Sequence, residues 1–269
     1  MHTTTVHLLS ILLLAQLATA DIDYPDDRRA AMQLFQAKQY EEAMIAFTGL
    51  AASDKTNEAQ KSDAYEQAAM CALQLNQAEQ AMNLAGKIPH EPTSKTVQLR
   101  ILMQNRLHDR VITEFGDIDF DAWPEKQSSE AFYLRGVCYF NLKQTAKAEA
   151  DLRNSLAYVG NAYDTSQSWL MLGRNYRENA KDNAKALDAF LSAIKCVDKI
   201  GGWTKYQSMI FASQILVEQN KPAEARQVLD RVDIQKLSGY WRDAFEKAHE
   251  QIRITAEKAD ETKGMNRDP

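Results

Sequence analysis

The chain has 269 residues, 45% of them hydrophobic and 26% charged, with 10 Gly, 6 Pro and a net charge of −5. That apolar share suits a packed core, and the scarcity of Gly and Pro argues against disordered, collagen-like or turn-rich β chains. The mild acidity, with no long run of Lys or Arg, argues against a nucleic-acid surface.

Residues 1–20 read as an export signal. Val6 to Leu17 is apolar except for His7, Ser10 and Gln16, and is too short to span a bilayer comfortably. Ala18-Thr19-Ala20 then offers the small-x-small pattern of a cleavage site. Met1 to Thr5 carry no Lys or Arg, so the usual positive start is missing and an uncleaved anchor is the alternative. Cleavage predicts an exported chain, periplasmic or secreted, with no stable membrane span once the signal is gone.

Asp21 to Asp27 is an acidic lead-in. Helix pairs are predicted over 28–52, 62–87 and 94–115, the last stopped by Gly116. Asp117-Ile118-Asp119-Phe120-Asp121 mimics the opening of a calcium loop, but Ala122 and Ser128 stand where such a loop needs Gly and Glu. With Trp123 and Pro124, the segment reads instead as a turn whose aromatics tuck inward. Further pairs are predicted over 129–159, 166–199 and 206–232, with Gly160, Gly201 and Gly202 at their ends. An amphipathic helix follows from Gly239, with Phe245 and Ile252 seven apart. The predicted organisation is a signal over 1–20, degenerate repeats over 21–125, better-formed repeats over 126–235, a capping helix over 236–260 and a flexible tail over 261–269.

The better-formed part carries a signature. Trp169-Leu170-Met171-Leu172-Gly173-Arg174-Asn175-Tyr176 is followed ten residues later by Ala186, and then by Phe190. This string resembles the first and second helices of a tetratricopeptide repeat. In the same register Phe132, Gly136, Tyr139, Ala148 and Leu152 form a copy 37 residues earlier. Tyr40, Ala43 and Phe47, with Ala31 and Leu34 before them, form another. Weaker copies surround Ala69, Ala72 and Ala81; Arg100, Leu107 and Val111; and Ser213, Leu216, Ala225 and Leu229. The resemblance implies an all-α fold, a right-handed superhelical solenoid of stacked helix-turn-helix repeats. Paired helices approach closely where side chains are small, as at Gly136 with Ala148 or Gly173 with Ala186. One hairpin cannot bury its apolar face alone, so about three or more must stack.

Catalytic constellations are scarce. Outside the signal only His90, His108 and His249 occur, none in a metal-ligand spacing, and no phosphate-binding loop or nucleophile elbow appears. No enzyme activity, cofactor or metal is expected. Cys71 and Cys138 fall at the same place of first helices two repeats apart, too far for a disulfide. With Cys196 they read as small buried hydrophobes.

By the same resemblance, the first helices line a concave surface through their second, fifth, ninth, twelfth and thirteenth positions. On this sequence those places include Arg100, Met103, Tyr133, Phe140, Asn141, Arg174, Arg177 and Gln214. Three arginines among Met and aromatics suit an extended or helical peptide with an acidic group, Arg forking onto carboxylate. The alternative is that the apolar members belong to the core and the arginines to a solvated edge. The family's clamp on a C-terminal carboxylate uses Lys and Asn at fixed inner places. Tyr133, Val137, Leu170 and Arg174 stand at the fifth and ninth places here, so that clamp is not reproduced. The expectation is a non-catalytic scaffold for a protein or peptide partner. The alternative is a structural subunit of an envelope or secreted assembly that uses its ends or convex face, with an enzyme-accessory role ranked last.

Overall fold

A computed structural model describes residues 23–158, 161–199, 202–237 and 239–265; the signal predicted over 1–20 lies outside them. No strand forms among the described residues, and the helices come in pairs. These are α1 (Tyr24–Gln36) with α2 (Tyr40–Ala52), α3 (Glu58–Gln74) with α4 (Ala78–Gly86), and α5 (Glu91–Gln104) with α6 (His108–Phe115). Then come α7 (Glu125–Asn141) with α8 (Thr145–Ala157), α9 (Ala162–Arg174) with α10 (Asn183–Cys196), and α11 (Trp203–Glu218) with α12 (Pro222–Leu229). A last helix, α13, spans Gly239–Met265. The architecture is the all-α helical repeat that the signature implies.

Every hairpin turns on one left-handed residue. Lys38, Asn76, Arg106, Lys143, Lys181 and Asn220 have φ between 58° and 62°. The N–H after that residue folds back onto a carbonyl near the helix end, as Gln39 N–H does to Leu34 O (2.9 Å) and Gln144 N–H to Tyr139 O (2.9 Å). These bonds satisfy carbonyls that the helix itself leaves open. The turn fixes the register of the pair. Five places after it stands a buried second-helix residue: Ala43, Ala81, Val111, Ala148, Ala186 or Ala225.

Close approach decides which residues fit at the seam. A Cβ built on Gly173 would lie 2.6 and 2.7 Å from ring carbons of Phe190, and one on Gly136 would lie 3.0 Å from Cγ of Leu152. So each glycine faces the bulky residue one turn beyond the expected alanine. The alanines, fully buried themselves, let the second helix come near enough for that contact.

The chain divides into two compact units, Met1–Arg135 and Gly136–Pro269, with the division inside α7. In the first unit the core is small-on-large: Ala31, Ala64, Ala68, Ala69, Ala72 and Ala81 lie against Phe47, Leu50 and Ile101. An Asn57–Gln60 capping box starts α3. Helix α1 is tied to α3 by Arg28, whose Nε and Nη2 donate to Asp63 Oδ2 (2.5 Å) and Oδ1 (2.9 Å), and by the Tyr24 hydroxyl, which donates to Oδ2 (2.6 Å). Burial pushes the Asp63 carboxyl up, but the hydrogen bonds from Arg28 and Tyr24 more than reverse this and hold it below its ordinary value. A carboxyl with a depressed folded-state pKa stabilises the fold above its unfolded value of about 3.9, and loses that contribution as pH falls through the folded value. Asp63→Asn is therefore expected to lower the urea midpoint at neutral pH, with the deficit shrinking towards about pH 2. A deficit of equal size at both pH values contradicts this role.

The 117–123 segment is a turn, as its aromatics suggest. Phe120 is fully buried, edge-on to Phe132 (5.2 Å between ring centres) and tilted against Trp123 (4.7 Å). Asp119 accepts a hydrogen bond from the Asp121 N–H (3.0 Å). Arg135 closes the segment from beneath. It is 7% exposed, and its Nη1 donates to the carbonyls of Phe115 (2.8 Å), Gly116 (3.2 Å) and Ile118 (2.9 Å). Its guanidinium also lies over the Phe120 ring, 4.3 Å from the centre. The end of α6 is thus capped by a side chain twenty residues downstream.

In the second unit, α13 packs against α11 and α12 through Phe245, Ala248 and Ile252. It continues past residue 260, the limit drawn for it from the sequence, to Met265, because the Ala-Glu-Lys-rich stretch favours helix. Cys71 and Cys138 are buried free thiols, both pushed up to about 12 by burial. Cys196 is only partly covered, unlike the fully buried thiol expected from the sequence, although burial raises its pKa as well.

Candidate interaction face of the first helices

The predicted partner-facing residues lie on first helices, except Arg177 in the π-helical turn Asn175–Ala180 that follows α9, and in each unit neighbouring first helices are linked side chain to side chain. In the first unit Arg100 on α5 donates through Nε to Glu130 Oε1 on α7 (2.8 Å), and its Nη2 meets the same oxygen. Nη1 reaches Met70 Sδ (3.2 Å) and Glu66 Oε1 (3.5 Å) on α3. Burial works against the Arg100 charge, but Glu130 and Glu66 more than offset it, leaving its pKa raised. Met103, one turn along α5, and Tyr133 on α7 are both half-buried.

In the second unit Phe140 at the end of α7 is buried beneath Arg174, whose guanidinium carbon lies 4.8 Å from the ring centre. Arg174 also donates to Glu178 Oε1 (2.8 Å). Arg177 reaches across to α11, donating to Gln214 Oε1 (2.8 Å) and Glu218 Oε1 (2.9 Å). It also lies over Phe211, 5.7 Å from the ring centre. Asn141 does not join them: its amide turns back to the Val137 carbonyl (2.8 Å) of its own helix. The structure thus brings Phe140 together with Arg174, and Arg177 with Gln214.

The carboxylates on this face come from the chain itself. Glu66, Glu130, Glu178 and Glu218 pair with the three arginines expected to await an acidic partner. All four acids were within reach of the sequence. In the register anchored by the buried small residues, Glu130 falls at the second place, Glu66 at the fifth, and Glu178 and Glu218 at the thirteenth, all inward ones. Reading only the ninth and twelfth places finds the cations and misses their counter-ions. A groove of about 680 Å³ beside Arg100 is lined by Glu58, Asp63, Glu66 and Glu91 against Lys126, so the surplus charge there is negative. That is opposite to what an arginine-led reading implies for the first unit. In the second unit a smaller pocket of about 240 Å³ opens between Arg177, Gln214 and Glu218 and the α13 residues Ala248 and Gln251.

Among the described residues no group of three or more His, Cys, Asp or Glu stands close enough to hold a metal ion, and no helix is long and apolar enough to cross a membrane. Helix hairpins whose first helices are linked side chain to side chain within each unit define an all-α helical-repeat fold. Residues 130–158, most of α7 and all of α8, match the family model described as Tetratricopeptide repeat. No curated protein matches it. Among solved structures, the TPR2AB-domain:pHSP90-complex of yeast Sti1 is similar over 86% of this chain and 98% of that chain, with 11% identity and a TM-score of 0.41.

Proposed function

We propose that the protein is a non-catalytic scaffold that binds a protein or peptide partner on its first-helix face, outside the cytoplasm. The export part of this reading is supported only by the apolar stretch and small-x-small pattern of residues 1–20. The binding part is supported by one observation above the rest: Arg174 and Arg177 are held in place before any partner arrives, by Phe140, Glu178, Gln214 and Glu218. Side chains already ordered cost less entropy on binding. Their own carboxylates are not a barrier to exchange, because Glu178 and Glu218 are 43% and 49% exposed. Such half-exposed pairs contribute roughly 0.2–1 kcal/mol, which a partner carboxylate can replace.

The double variant Arg174→Glu/Arg177→Glu reverses both charges on this face. It is expected to lose, by at least tenfold, the partner that the parent protein captures from its own compartment, while its melting temperature stays close to the parent's. A double variant that retains the partner at parental affinity removes the first-helix face from consideration. The end-or-convex-face assembly reading would then take its place. In its favour, Tyr240 at the start of α13 is 74% exposed and stacks edge-on against Trp241 (5.1 Å).

A further inference from the structure

Hairpin five differs from the other five by one residue. Seven places separate Ala31 from Lys38, Ala69 from Asn76, Leu99 from Arg106, Gly136 from Lys143 and Ser213 from Asn220; eight separate Gly173 from Lys181. The count from each left-handed residue to its second-helix partner is five in all six hairpins. The additional residue therefore lies between Gly173 and Lys181. There α9 gives way to a π-helical turn, Asn175–Ala180. The closing bond lengthens to match: Asp182 N–H reaches six places back to Tyr176 O (2.9 Å), where the other hairpins reach five.

An isolated π turn is an uncommon conformation, found often at functional positions. This one is braced. Asn175, fully buried, donates to the Thr145 carbonyl (3.0 Å), and Asn179 Nδ2 donates to the Phe140 carbonyl (3.1 Å) and to Asn175 Oδ1 (3.1 Å). On the first-helix face, Phe35, Leu73, Met103, Phe140 and Val217 each stand four places after their seam residue and three before their turn. In hairpin five the two counts give different residues. Arg177 is four after Gly173, and Glu178 is three before Lys181. One turns forward to Glu218 on α11, the other back to Arg174.

We infer that the π turn is a one-residue insertion that sets two charged side chains at a level where each other hairpin presents one residue, and that it positions Arg177 against α11 rather than serving the fold. It rests on the first-helix face being the binding face, but its test needs no partner, so the two readings can fail separately. Deleting Ala180 from the full chain restores the seven-residue count. The deletion variant is expected to keep the parent's helical dichroism and to melt within a few degrees of it. In the parent, the Arg177→Ala and Glu218→Ala changes should shift the urea midpoint non-additively; in the deletion variant that non-additivity should vanish. Deleting Glu178 shortens the same turn elsewhere and guards against a local defect of the first deletion. If both deletions unfold the protein, the turn is a requirement of the fold and the inference is overturned. A well-folded deletion that keeps the coupling, or a parent that lacks it, overturns it equally.

Discussion

Gly173→Leu is expected to melt on the order of 10 °C below the parent, a loss of about 3 kcal/mol. The cause is local. The first carbon of any side chain at 173 falls 2.6 Å from the Phe190 ring, and that ring is itself fully buried. The ring also stacks against Phe211 of the next hairpin (5.2 Å), so pushing it disturbs two interfaces. Gly173→Ala already brings the first carbon into contact and should show a smaller loss in the same direction. Gly136→Ala is milder still, because its nearest neighbour lies at 3.0 Å and is a flexible leucine. A melt of Gly173→Leu indistinguishable from the parent would mean that α9 and α10 do not meet at this seam.

Arg135→Ala is expected to cost about 3 kcal/mol or more, read as a lower urea midpoint. Three backbone carbonyls lose a donor together, that of Phe115 keeping only the long bond from the Ile118 N–H (3.3 Å), and the Phe120 ring loses the cation stacked on it. An unmet buried acceptor costs roughly 1–3 kcal/mol, so the sum is large even after relaxation and water entry. Arg135→Lys separates charge from geometry. A lysine retains the cation but cannot reproduce the planar fork, so it should recover only part of the loss. Amide exchange gives a second reading: protection of residues 116–123 should fall in Arg135→Ala before that of α1 or α2 does. Full stability in Arg135→Ala would show that the turn holds itself.

Much of the fold was legible because its determinants are short-range. The full string from Trp169 to Phe190 specifies one hairpin, and buried residues such as Ala43, Ala81, Val111 and Ala225 extend the register to hairpins that lack the aromatic signature. Gly116 was readable as a stop and is the C-cap of α6. What escaped depends on residues far apart in sequence. Nothing near Arg135 announces that it will cap carbonyls at 115–118. The arginines of the first-helix face were found, but pairs such as Arg100 with Glu130 or Arg177 with Glu218 join neighbouring repeats and emerge only once all five inward places are read. The π turn did leave a trace: Gly136 to Ala148 spans twelve places and Gly173 to Ala186 thirteen. A one-residue discrepancy looks like loop variation until the backbone shows that the loop is unchanged.

The left-handed closures have a kinetic consequence. Each hairpin seals itself through contacts only a few residues apart, so little loop-closure entropy is spent before the first native interactions repay it. Folding can nucleate in any well-formed pair and spread to its neighbours. A chain assembled in that way tolerates a change of length inside one pair without losing alignment in the rest, which is how hairpin five can carry its additional residue.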